Sequence, residues 1–309
     1  MRLFRGLALG AAALAFLVAV LGSWVRINGA GLTCPDWPLC RGSVVPALSG
    51  GVVLEWSHRA GVFLEAFLVL GVLAAGWRLR AAVPGLGRGL AVLAGVFAVQ
   101  VLLGGATVEL GNSPISVVLH WAMAMALLAT LTVLATLGFE PVRIGGAVTG
   151  NHRSAGALSV AAAFAFLAMC AGAYVSSSQA GLACPAFPLC GSEAFGSNEA
   201  QLAQMLHRLA ALFVVLAASA AAAIAWTGGS ARVRATAAVA CALVFVQAAL
   251  GAANVLAAMP VALRELHAAN AGLTFIALVL AATFASLDPD RARSLAPQRA
   301  RATGMASSR

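Results

Sequence analysis

Eight stretches of about twenty apolar residues dominate this chain, at roughly 7–25, 54–76, 89–109, 114–137, 155–175, 201–226, 234–256 and 262–285. As a helix rising 1.5 Å per residue, each is long enough to cross the roughly 30 Å hydrocarbon layer of a bilayer. Water offers no alternative: 61% of the 309 residues are hydrophobic and 9% are charged, against roughly 25% charged in a soluble domain. In lipid, a spanning segment must pair its own backbone amides and carbonyls, and runs of this length do so as helices. The fold class is therefore all-α integral membrane, with eight transmembrane helices. The first run follows Arg2 and Arg5 in the manner of a signal peptide. It lacks a small-x-small cleavage site before Trp24 and has a counterpart later in the chain, so it is read as a helix.

The net charge of +9 comes from arginine alone, because there is no lysine. With no basic soluble face, a nucleic-acid partner is excluded. Arg2, Arg5, Arg78, Arg80, Arg88, Arg143, Arg153, Arg232, Arg234, Arg291, Arg293, Arg299, Arg301 and Arg309 fall on one side of the membrane. Arg26, Arg41, Arg59, Arg208 and Arg264 fall on the other. Fourteen against five puts both termini in the cytoplasm, and an even number of spans agrees. The polar, Arg-rich tail, 288–309, is expected to be disordered.

The chain is also written twice. Trp24–Cys40 aligns with Tyr174–Cys190 at an offset of 150, and His58-Arg59 with His207-Arg208 at 149. Gln100, Leu103, Gly104 and His120 align with Gln247, Leu250, Gly251 and His267 at 147. Four correspondences in one order define two copies of a four-helix unit, residues 1–145 and 146–287. An even number of helices separates equivalent positions, so the copies share orientation, as in parallel repeats. The architecture predicted is two tandem pseudo-symmetric four-helix bundles.

Four of the five histidines are the repeated ones, each just inside the outer end of an even-numbered helix. A single membrane histidine is ordinarily a polar group bonded across a helix interface. Four at one depth, two per half, mark function, because intramembrane ionisable groups are costly. Two imidazoles from two helices suit a metal centre in a bundle. Bare zinc or copper calls for a third ligand, which the odd-numbered helices do not offer. Haem needs only two axial ligands, and its flat ring fits between Ala- and Gly-rich helices. Arg26, Arg59, Arg208 and Arg264 stand where propionates could meet them, although Arg26 and Arg264 equally suit interface snorkelling. His152, beside Arg153, reads as solvated loop surface.

The halves differ in what surrounds these histidines. Glu55 and Glu65 share a helix face with His58, whereas Gln204 and Val214 stand at the equivalent positions beside His207. A carboxylate can take a proton or stabilise developing positive charge, and an amide does neither well. Chemistry is accordingly expected in the first half and electron relay in the second, with an ion pair to Arg59 the plainer use of Glu55. Cys34 and Cys40, and Cys184 and Cys190, lie in outer loops without a histidine, which favours a disulfide in each over zinc. A redox-active pair stays open. Cys170 and Cys241, alone within helices, read as buried inert thiols.

The Glu55-Trp-Ser-His58-Arg59 element, the paired C-x5-C loops, the later His207 and His267, and the eight-helix tandem repeat together resemble the haem A synthase family, over about residues 7–285. The resemblance implies oxidation of the C8 methyl of haem O to a formyl group, giving haem A for terminal oxidases. It implies haem b held through its iron by His207 and His267. It places the haem O substrate at His58 and His120, with Glu55 near the reacting methyl. The cysteine loops match bacterial forms carrying both disulfides, which implies the bacterial plasma membrane, with the haem sites near its outer face. Haem O synthase and an electron acceptor such as quinone become expected partners. Small residues on many helices also permit a homo-oligomer. Two other classes of function are a di-haem cytochrome b carrier and a haem transporter or chaperone.

Overall fold

The computed structural model describes residues 1–139, 151–191 and 195–288. They form α1 (Arg2–Ile27), α2 (Gly51–Leu79), α3 (Leu86–Glu109), α4 (Pro114–Phe139), α5 (His152–Ser177), α6 (Glu199–Gly228), α7 (Ala231–Leu256) and α8 (Val261–Leu287), with a 3-10 turn at Ala180–Leu182. Among the described residues, eight helices are long and apolar enough to span a membrane, and the β pairing amounts to one isolated bridge, Cys40 with Ser43. The protein is all-α and multi-pass.

The helices outrun the apolar stretches at most ends, and at α5, α6 and α7 a side-chain cap fixes the start. α5 starts at His152 because the Asn151 side chain accepts from Ser154 N at 3.1 Å. His152 is thus an exposed first residue of a helix rather than part of a loop. Asn198 caps α6 and Ser230 caps α7 in the same way. Pro114 opens α4, where a missing N–H costs nothing.

α1 packs on α2, α2 on α3, α3 on α4 and α1 on α4, and α5–α8 repeat this set of contacts. The two sets meet where α1 touches α8, α4 touches α5, and α4 touches α8. The interior of α1–α4 is built from branched side chains such as Val69, Val72, Leu90, Leu93, Leu131 and Leu134. Its counterpart around α5–α8 is largely alanine, including Ala161, Ala165, Ala218, Ala221, Ala240 and Ala281. Lipid tails are as apolar as leucine, so close packing rather than water exclusion holds such helices together, and alanine lets backbones approach.

Asp288, assigned to the tail by its sequence context, belongs to the folded body instead. It is buried, and its Oδ2 accepts from Ser230 N at 2.9 Å, fastening the end of α8 to the start of α7. The division at 145–146 and the disorder expected of the tail past Asp288 lie outside the described residues. Cys170 and Cys241 are half-buried on α5 and α7, not enclosed as expected, and Cys241 Sγ lies 4.0 Å from Ser219 Oγ of α6.

Candidate functional site

Each repeated histidine lies six to eight residues inside the N-terminal end of its helix: His58 on α2, His120 on α4, His207 on α6 and His267 on α8. His58 Nδ1 donates to Val18 O of α1 at 3.1 Å, and His207 Nδ1 donates to Ala168 O of α5 at 3.0 Å. The tautomer follows from the carbonyl, which can only accept. Nε2 is left with its lone pair outward, the state a metal-binding imidazole needs, oriented by a backbone partner. The Nδ1 atoms of His120 and His267 face the carbonyls of Gln100 and Gln247 without reaching hydrogen-bond geometry.

Four residues after each of these carbonyls comes a glycine. A Cβ added to Gly22 would lie 2.8 Å from His58 Cε1, and one on Gly172 would lie 2.9 Å from His207 Cε1. At Gly104 and Gly251 the gaps to His120 and His267 would be 3.2 Å. A missing side chain thus lets the Cε1 side of each imidazole come close against the neighbouring helix, one turn from the carbonyl it faces. Gly104 and Gly251 are visible in the sequence repeat. Gly22 and Gly172 escape notice because glycine is common in membrane helices, but a search for Gly at one offset from the repeat would have found them.

The outer loops close over the histidines. Cys34–Cys40 and Cys184–Cys190 are disulfides, each with Cα atoms 4.6 Å apart. Glu55 is buried; its Oε2 accepts from Cys34 N at 2.8 Å and Thr33 Oγ1 at 2.9 Å, and its Oε1 from Arg59 Nη2 at 2.7 Å. Gln204 repeats the central contact, accepting from Cys184 N at 2.6 Å, while its Nε2 donates to Gly181 O at 2.7 Å. Holding the loop therefore needs an acceptor at this position, not a carboxylate. On the exposed side of the first loop, the Gly42 amide above all holds the Asp36 carboxyl below the usual carboxylate range.

The arginines hold the loops as well. Arg59 donates to the carbonyls of Cys34, Asp36 and Leu39 as well as to Glu55, and Arg208 to those of Cys184, Ala186, Pro188 and Leu189. Their guanidinium groups clamp the disulfide loops. Arg26, Arg59, Arg208 and Arg264 all line the cavity described next, and Arg26 also donates to Ser176 Oγ across the two sets of helices.

One cavity of about 1030 Å³ runs between the two sets of helices and reaches all four histidines. It lies at the upper end of the roughly 300–1,000 Å³ typical of small-molecule sites. His58 and His120 are close enough to interact electrostatically, as are His207 and His267. The carboxylates on its wall are Glu55 and Glu65, both from α2. Glu265 of α8, two residues before His267, is a further acidic group near Ser23, unremarked in the sequence because the repeat has valine at the equivalent Val118, and it does not line the cavity. Among the described residues no cluster of three or more His, Cys, Asp or Glu could hold a bare metal ion. Paired imidazoles on a largely apolar cavity of this size fit a haem.

Comparison with known proteins agrees with this geometry. The family described as cytochrome oxidase assembly protein matches residues 5–51 and 50–279. Proteins named haem A synthase from Bacillus pumilus, Bacillus licheniformis and Shouchella clausii are 29%, 31% and 33% identical over 211, 204 and 209 residues. These alignments cover 64%, 64% and 65% of this chain and 67%, 67% and 68% of the relatives. The chain belongs to the haem A synthase family.

In this family member the loop clamp makes a prediction that separates structure from ligand binding. Arg59→Ala removes a charged donor from three loop carbonyls and from Glu55, each such bond being worth about 1.5–3 kcal/mol before solvent screening. Hydrogen exchange at residues 34–42 should rise about tenfold or more in the variant. Weakened haem retention with unchanged exchange in that loop would instead make Arg59 a propionate ligand.

Proposed function

We propose that the protein is a haem A synthase, oxidising the C8 methyl of haem O to a formyl group. The observation that carries this reading is the inequality of two otherwise matching histidine pairs on one cavity. His58 and His120 share their end with Glu55 and Glu65, and His207 and His267 have Gln204 and Val214 in those places. Haem O is the substrate at the first pair, residues 1–145, and haem b is the resident group at the second, residues 146–287. Haem b, when bound, supplies a one-electron redox centre. The protein's own part there is to orient His207 through Ala168 O and to leave Nε2 free for iron.

At the first pair the reacting carbon lies at the ring edge, beyond the reach of an axial ligand. Taking a methyl to a formyl with water as the oxygen donor releases four electrons and four protons, the electrons passing to an acceptor such as a quinone, and a fixed carboxylate beside the carbon stabilises the positive charge that develops. Glu55 holds such a position on the cavity wall, braced by three hydrogen bonds. The arginine asymmetry supports a topology with both termini cytoplasmic and this end of the cavity at the outer face of a bacterial plasma membrane.

The repeated glycine and carbonyl cradles, equally good in both halves, are what a di-haem electron carrier would also show. The haems extracted from protein purified out of cells that make haem O decide between them. Haem B together with haem A or a hydroxylated intermediate is the expected composition. Haem B alone would overturn the synthase reading in favour of the carrier.

A further inference from the structure

Glu65 has no part in holding the loops or in the reaction assigned to Glu55. It stands midway along α2, two turns or about 10 Å deeper than His58 on the same face. It is 3% exposed, lines the cavity, and neither carboxylate oxygen has a hydrogen-bond partner. The Oε1 of Gln100, on the same cavity from α3, is likewise buried and unpartnered.

The second half shows what a filled version looks like. Gln247 Oε1 accepts from Asn270 Nδ2 at 2.8 Å, and valine replaces the glutamate at Val214. At the position equivalent to Asn270 the first half has Met123, which donates nothing. Glu65 is thus an open carboxyl on the cavity wall near mid-helix, where the second half has valine. An unpartnered carboxyl there is costly unless a donor arrives with the ligand.

On the reading that haem O occupies this half, we infer that Glu65 accepts a hydrogen bond from the hydroxyl on the prenylated side chain of haem O, and so selects it over haem B. The propionate edge of the ring turns toward Arg26 and Arg264 at the outer end of the cavity. The opposite edge, which carries the hydroxyl and its long apolar chain in haem O and a vinyl group in haem B, then faces inward toward Glu65. A carboxylate oxygen suits a hydroxyl donor and gains nothing from a vinyl group. Specificity of this kind is strong because the wrong ligand leaves buried polar groups unpaired.

The test is a spectral titration of the detergent-solubilised protein, purified from cells that make haem B only, with haem O and separately with haem B. The His58→Ala variant subtracts binding elsewhere. Wild type should bind haem O more tightly than haem B in a His58-dependent way. Glu65→Val, which installs the residue of the second half, should weaken haem O binding about tenfold and leave haem B unchanged. Glu65→Gln, keeping an acceptor, should retain most of the preference. Retention of the haem b spectrum at His207 and His267 checks that each variant is folded. An unchanged preference in Glu65→Val, or an equal loss for both haems, overturns the role of Glu65 while leaving the substrate assignment standing. Absence of His58-dependent haem O binding in wild type overturns that assignment and this inference together.

Discussion

Glu55→Gln is expected to leave the haem complement bound and to lower conversion of haem O at least a hundredfold, within the range that a positioned acid–base group contributes. The second half is a natural control for the fold. Gln204, in the same place, holds the Cys184 amide at 2.6 Å as Glu55 holds the Cys34 amide at 2.8 Å. A glutamine therefore keeps the disulfide loop in place, and what the substitution removes is the negative charge and the pair with Arg59. If the charge does the chemistry, haems extracted from the variant and separated by chromatography will be haem O and haem B, with little haem A. Full conversion would reduce Glu55 to a loop anchor like its counterpart.

That comparison also shows what could be read without coordinates. Eight spans, the repeat and the depth of the histidines were legible because membrane crossing and duplication both leave linear marks: runs near twenty residues and fixed offsets. The pairing of Cys34 with Cys40 and of Cys184 with Cys190 was legible for the same reason, each pair being local. The work done by Arg59 and Arg208 was not. An arginine four residues after a glutamate looks like a simple ion pair, and its grip on loop carbonyls depends on how residues 34–41 fold back, which no periodicity encodes. Glu65 could be located but not interpreted, because its lack of any partner is a property of the surrounding α3 and α4 side chains. Glu265 was hidden by the repeat itself, which draws attention to matched positions and away from a carboxylate present in one copy.

The second large effect concerns the resident haem. His207→Ala should abolish the low-spin haem b signal in the reduced-minus-oxidised spectrum, and Gly172→Ala should do nearly the same without touching a ligand. On helix propensity alone, Gly172→Ala favours α5 by about 1 kcal/mol, so any loss of haem cannot be charged to a weaker helix. The added methyl would lie 2.9 Å from His207 Cε1, closer than carbon atoms pack, while His207 Nδ1 is fixed on Ala168 O. The imidazole can yield only by leaving that carbonyl, and Nε2 then no longer points where iron must sit. Gly251→Ala, with 3.2 Å to His267 Cε1, should cost part of the signal, because at this wider gap a shift of a few tenths of an ångström relieves the contact, and the bond that His267 Nε2 accepts from Gln247 Nε2 at 3.1 Å is one that iron would replace. Gly156→Ala, on the same α5 with nothing within 4 Å, should leave the spectrum intact. A haem b signal surviving Gly172→Ala at wild-type strength would mean that the cradle on α5 does not position the ligand, whichever histidine holds the iron.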